Sequence, residues 1–84
     1  MERIDPRVFC GSDAEKALHR RLDAAFRSPE ALNPPRYDAI FERPTGMLVE
    51  GRYGGETFAA YSLPGGNWVV DRDVEAIKNK FAKL

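Results

Sequence analysis

The adjacent glycines at 54 and 55 constrain this chain more than any other feature. A two-residue Gly-Gly link between runs of strand composition is the signature of a tight hairpin turn of the primed type. Such a turn fixes the pairing on either side of it. Tyr53 should stand opposite Glu56, Gly51 opposite Phe58, Val49 opposite Ala60 and Leu48 opposite Tyr61. Phe58 would then lie over the bare backbone of Gly51, an arrangement that shields a glycine inside a strand. Six of the seven glycines fall between Gly46 and Gly66, where they separate further strand-like runs. Ala39 to Arg43 reads as a first strand, joined through Pro44-Thr45-Gly46 as a three-residue hairpin to a second over Met47 to Tyr53. Pro64-Gly65-Gly66-Asn67 forms the last turn, and Trp68-Val69-Val70 a short final strand.

Helical signals flank this meander. Ser12-Asp13-Ala14-Glu15 fits a capping box, and Ala14, Ala17, Leu18, Leu22, Ala25 and Phe26 then recur on a 3.6-residue period. Ser28-Pro29 ends the pattern, with room for one short turn over Glu30 to Leu32. Asn33-Pro34-Pro35 is a stiff connector into the strands. At the other end, Asp71 or Asp73 caps a second amphipathic helix whose buried stripe is Val74, Ile77, Phe81 and Leu84. Its acidic start and its lysines at 78, 80 and 83 both favour the helix dipole. The expected organisation is one α+β domain with an extended N-terminal segment over 1–11 and a helix over 12–27. A four-stranded antiparallel β-meander follows over 39–70 and a helix over 72–83, giving the order α-β-β-β-β-α.

Composition removes several classes of function. Thirteen basic and 13 acidic residues cancel, and the balance is local, with eight of each sign in residues 1–43 and five of each in residues 44–84. Nucleic-acid binding driven mainly by bulk charge therefore ranks low. A single cysteine excludes an internal disulfide and any cysteine-cluster zinc site. No apolar run approaches the roughly 20 residues of a membrane-spanning helix. The start MERIDPRVF lacks the apolar stretch of a signal peptide, so the expected compartment is the cytoplasm.

The chemistry-bearing residues point away from catalysis. His19 is the only histidine, with Glu15 and Asp23 one helical turn to either side, but a zinc site ordinarily takes two or three histidines. Cys10 precedes a helix start, where a thiolate is favoured, yet no histidine is tied to it by sequence. Gly51-Arg52-Tyr53-Gly54-Gly55 leads into a strand and lacks the Gly-Lys-Ser/Thr of a phosphate loop. Asp71, Asp73 and Glu75 are explained by a helix start. No catalytic residue, metal or cofactor is expected.

Two surfaces remain. Four strands about 4.8 Å apart make a sheet about 19 Å wide, and helices need about 10 Å each, so two helices side by side cover one face. The pairing puts Met47, Val49, Tyr53, Phe58, Ala60 and Val69 on one face, and Leu48, Ala59, Tyr61, Leu63, Trp68 and Val70 on the other. If both helices share a face, an apolar surface is left over for another protein or for a second copy in a homodimer. The expected contact residues are Leu48, Arg52, Tyr61, Leu63 and Trp68, since Tyr, Trp and Arg dominate interface hot spots. Helices on opposite faces would leave nothing spare. The other surface is a basic face of the first helix, Lys16, Arg20, Arg21 and Arg27, with Arg3, Arg7 and Arg36 elsewhere; Asp13, Glu15 and Asp23 dilute it. It is the alternative, nucleic-acid-binding site.

Leu63-Pro64-Gly65-Gly66-Asn67-Trp68-Val69-Val70 followed by a helix resembles a terminal hairpin found in small accessory proteins of bacteria and their phages. The likeness covers under a quarter of the chain and transfers no residue role. The small size, the single domain and the absence of catalytic groups leave room for a protein made by a mobile element to block a host machine. The functional expectation is a non-enzymatic inhibitor, adaptor or regulator of a larger protein.

Overall fold

A computed structural model describes residues 2–26, 34–63 and 67–84. Its elements are β1 (Glu2–Arg3), α1 (Pro6–Phe9), α2 (Asp13–Ala25), β2 (Arg36–Arg43), β3 (Gly46–Tyr53), β4 (Glu56–Ser62), β5 (Trp68–Asp71) and α3 (Val74–Ala82). The strands form one antiparallel sheet in the order β1-β2-β3-β4-β5. The class is α+β, with five strands among the described residues where four are expected. The N-terminal segment is not simply extended: Glu2 and Arg3 pair with Glu42 and Phe41, and Asp5 caps a one-turn helix that opens with Pro6. The short turn expected at Glu30 to Leu32 and the glycines of the expected turn at 64–67 lie outside the described residues.

The β3–β4 hairpin has the expected register, with Tyr53 on Glu56, Gly51 on Phe58, Val49 on Ala60 and Leu48 on Tyr61. Gly54 and Gly55 have φ of 60° and 79°, the pair of positive values a type I′ turn requires. The β2–β3 hairpin is tighter than expected. Arg43 pairs with Gly46, leaving only Pro44 and Thr45 between the strands. Strand β2 also begins three residues early, because a bulge at Asp38 lets Tyr37 and Ile40 point to the same side.

The helices lie on opposite faces of the sheet. On one, α1 and α2 bury Phe9, Leu18, Leu22 and Phe26 against Tyr37, Ile40, Val49, Phe58 and Trp68. On the other, α3 buries Ile77 and Phe81 on Leu48 and Ala59. Ala59 and Ala60 are adjacent, face opposite ways and are both wholly inaccessible, so β4 is covered from both sides. Their small side chains let a helix approach on each face. Each large side chain buried here contributes about 1.5–3 kcal/mol.

The helix caps follow the sequence. Ser12 Oγ accepts the Glu15 N–H at 3.2 Å, but the Glu15 carboxylate reaches back to the Gly11 N–H and not to Ser12. Asp73 caps α3 through the Ala76 N–H. Leu84, expected on the buried stripe, is 46% exposed. The end of α3 is held instead by Arg43, whose guanidinium lies 4.1 Å from the Phe81 ring centre and donates to the Phe81 and Leu84 carbonyls. A cation there complements the negative end of the helix dipole.

Candidate functional site

The five residues expected to form one contact surface are separated by the fold. Leu48 is buried under α3 and Trp68 under α2, on opposite faces. Trp68 packs edge-on to Phe9, and its Nε1 donates 3.1 Å to the Ala14 carbonyl. Leu48 is lost because helices on opposite faces leave no sheet face spare, and Trp68 because of its register. A four-residue turn over 64–67 pairs Leu63 with Trp68, whereas the sheet pairs Ser62 with Trp68. A slip of one residue turns every side chain of the strand over, bringing Trp68 and Val70 to the α2 face and Val69 to the α3 face. Arg52 is exposed, but it pairs with Thr57 at the hairpin end of the strands, away from the β4–β5 end.

Tyr61 and Leu63 stay together. Tyr61 is half-buried beside α3, Val69 is its direct partner across β4–β5, and Leu63 follows as the chain leaves β4. Leu63 is 46% and Val69 38% exposed, an apolar patch at the β4–β5 end of the sheet. Val69 belongs to β5, which among the described residues pairs with β4 alone and so carries a free backbone edge. Its exposure is the site signal that the sequence-level face assignment hid.

On the opposite side of that edge stands α2. Its residues Ala17, Arg20, Arg21 and Ala24, spaced i, i+3, i+4 and i+7, form one stripe beside β5. With Asn67, Trp68 and Val69 they line an open groove of about 560 Å³. Arg21 Nε donates 3.1 Å to the Trp68 carbonyl.

Two of the three acidic residues that dilute the basic helix in sequence, Glu15 and Asp23, are on its other flank, whereas Asp13 stands in the first turn, one turn before Ala17. Glu15 Oε2 accepts the Tyr37 hydroxyl at 2.8 Å, and the Asp23 carboxylate accepts the Tyr53 hydroxyl. His19 lies between them, 3.9 Å from Glu15 and 3.7 Å from Asp23, with its ring edge-on to Tyr53. Beyond its first turn the helix is thus split lengthwise, with Glu15 and Asp23 toward Tyr37 and Tyr53 and Arg20 and Arg21 toward β5. Lys16 is exposed, and Arg27 lies outside the described residues.

The tyrosine pairs give a pH signature. Burial, then the bond to Glu15, holds the Tyr37 phenol far above the ordinary range, and the bond to Asp23, then burial, pushes Tyr53 up to about 12. An unfolded tyrosine ionises near pH 10, roughly, so above that value the folded chain retains protons that the unfolded chain releases. Stability from Tyr53 should be whole below about pH 10 and lost as the pH rises to about 12. Tyr53→Phe should flatten that part of the decline in urea midpoint against pH. An unchanged slope would show that Asp23 does not hold the phenol neutral.

Among the described residues, no three His, Cys, Asp or Glu side chains come close enough to hold a metal ion, and Cys10 is exposed at the end of α1. No described helix is long and apolar enough to cross a membrane. A second groove, of about 330 Å³, runs between α3 and the sheet over Phe41, Leu48 and Phe81, with the Glu50–Lys78 ion pair among its lining. No family model, curated protein or solved structure matches this chain.

Proposed function

We propose that this chain is a non-enzymatic protein-binding module, an inhibitor, adaptor or regulator of a larger protein, and that it binds along the free edge of β5. The observation that supports this reading is the exposed apolar side chain of Val69 on that edge strand, with its partner Tyr61 on the strand behind it and the exposed Leu63 where the chain leaves that strand. Apolar side chains gathered at an unpaired strand edge are a recognised basis for strand-addition complexes. Backbone hydrogen bonds supply affinity there and flanking side chains supply selectivity. Tyr61 and Leu63 carry over from the expected contact set, and Val69 replaces Leu48 and Trp68.

The test is capture of partners from lysate with and without nuclease by the immobilised chain, compared with its Leu63→Asp variant. Leu63 is half-exposed, so the variant should melt within a few degrees of the parent and lose the captured protein. Equal capture by both would remove the edge patch from the binding surface. Capture that nuclease abolishes would transfer the function to Lys16, Arg20 and Arg21 as a nucleic-acid contact.

A further inference from the structure

We infer that the β5 edge accepts an extended segment of a partner protein in which acidic and apolar side chains alternate. The acidic set faces Arg20 and Arg21 of α2, and the apolar set faces Tyr61, Leu63 and Val69. This rests on the protein-binding reading above and specifies its ligand.

The sheet has two edges, and they differ. The β2 edge is covered at Phe41 and Glu42 by β1 and is broken by the bulge at Asp38. Both are devices that block strand addition. Strand β5 carries no bulge and no proline, and its centre is Val69-Val70, which favours extended pairing. It is guarded by its short length, by the exposed charge of Asp71 at its end and by Arg21, whose guanidinium occupies the Trp68 carbonyl. An incoming strand can donate its own N–H to that carbonyl and offer a carboxylate to the released guanidinium. The exchange replaces one hydrogen bond by another and adds a charge-assisted pair.

The groove beside this edge selects for charge. Among the described residues its lining holds two guanidinia and no carboxylate. The α2 carboxylates Glu15 and Asp23 are turned to the far flank and bound to tyrosines, and Asp13 lies in the first turn outside the groove. Ala17 and Ala24 leave space for side chains between the arginines. Across the edge, the groove gives way to Val69, Tyr61 and Leu63 on the α3 face. Successive residues of an added strand point to opposite faces, so alternate positions meet the arginines and the apolar patch. A second copy fits less well. Antiparallel β5–β5 pairing in one continuous sheet would bring both α2 helices to the same face and four guanidinia to one seam.

Random dodecapeptides displayed against the immobilised full chain test this directly. The parent should enrich sequences with Asp or Glu at every second position and apolar residues between them. Arg20→Glu with Arg21→Glu should weaken those peptides roughly tenfold or more and enrich Lys and Arg at the same spacing. Arg20→Glu alone, at an exposed position, should act in the same direction if the double variant does not fold. Amide resonances of Val69 to Asp71 should shift on titration with an enriched peptide. Enriched peptides without acidic alternation that still fail on Leu63→Asp would overturn the charge inference and leave the binding surface standing. Peptides that bind parent, arginine and Leu63 variants alike would overturn both. A doubling of the solution mass with no enriched peptide would assign the edge to a second copy and overturn the inference.

Discussion

Replacing Trp68 by alanine should remove about 3–5 kcal/mol of folding stability, the cost of emptying a buried tryptophan site. Trp68 is 4% exposed, lies under α2 against Phe9 and ties the indole N–H to the Ala14 carbonyl. Small domains have about 5–15 kcal/mol in total, so the melting temperature should fall by roughly 20 °C. Trp68→Phe keeps most of the packing but not the donor, and should cost about 1–2 kcal/mol. Chemical denaturation of the three proteins separates the packing and hydrogen-bond contributions. A loss below about 1 kcal/mol for the alanine variant would return Trp68 to an exposed face and make it available again as a binding anchor.

A larger disruption is expected from one added methyl at Gly51. A Cβ there would stand 2.0 Å from the Arg36 carbonyl oxygen and 3.2 Å from Phe58 Cε1. The first neighbour is backbone and cannot step aside without moving β2, whose bulge lies two residues further on. Gly51→Ala should therefore cost about 3 kcal/mol or more, or leave no soluble protein. Gly55 supplies the contrast. A Cβ there meets nothing within 4 Å, although φ is +79°, so Gly55→Ala should cost only about 1–2 kcal/mol from backbone conformation. Equal losses at the two sites would mean that β2 yields readily and that the close β2–β3 contact is not a fixed part of the fold.

What the sequence revealed and concealed follows from how local each signal is. The Gly54-Gly55 turn is set by two residues, and its register is correct along the whole β3–β4 pair. The caps at Ser12 and Asp73 are equally local. Strand β1 and helix α1 are too short to show a period, although Asp5-Pro6 carries the ordinary start signal of a helix. The bulge at Asp38 breaks the alternation that would have marked Arg36 to Asp38 as strand. The β4–β5 register depends on a five-residue link, and one residue of error there inverted the faces of Trp68 and Val69. Phe58-Ala59-Ala60 did carry evidence for helices on both faces, since an unbroken apolar run suits a strand covered twice. For the candidate surface, the arginines were visible as a group. The turning of Glu15 and Asp23 away from them was not, because it depends on tyrosines 22 and 30 residues later in the chain.

Trp68 and Ala14, joined by a hydrogen bond, are separated by 54 residues, whereas each strand pairs with its neighbour in sequence. Closing a flexible loop of that length costs on the order of 3–4 kcal/mol of chain entropy. The same contact costs less once the hairpins have formed, because paired strands shorten the free path between α2 and β5. The favourable order of assembly is therefore hairpins first and helix last. Until that clasp closes, Leu18, Leu22 and Trp68 lack the cover they give each other, and completion of the core waits on a strand 54 residues further along the chain.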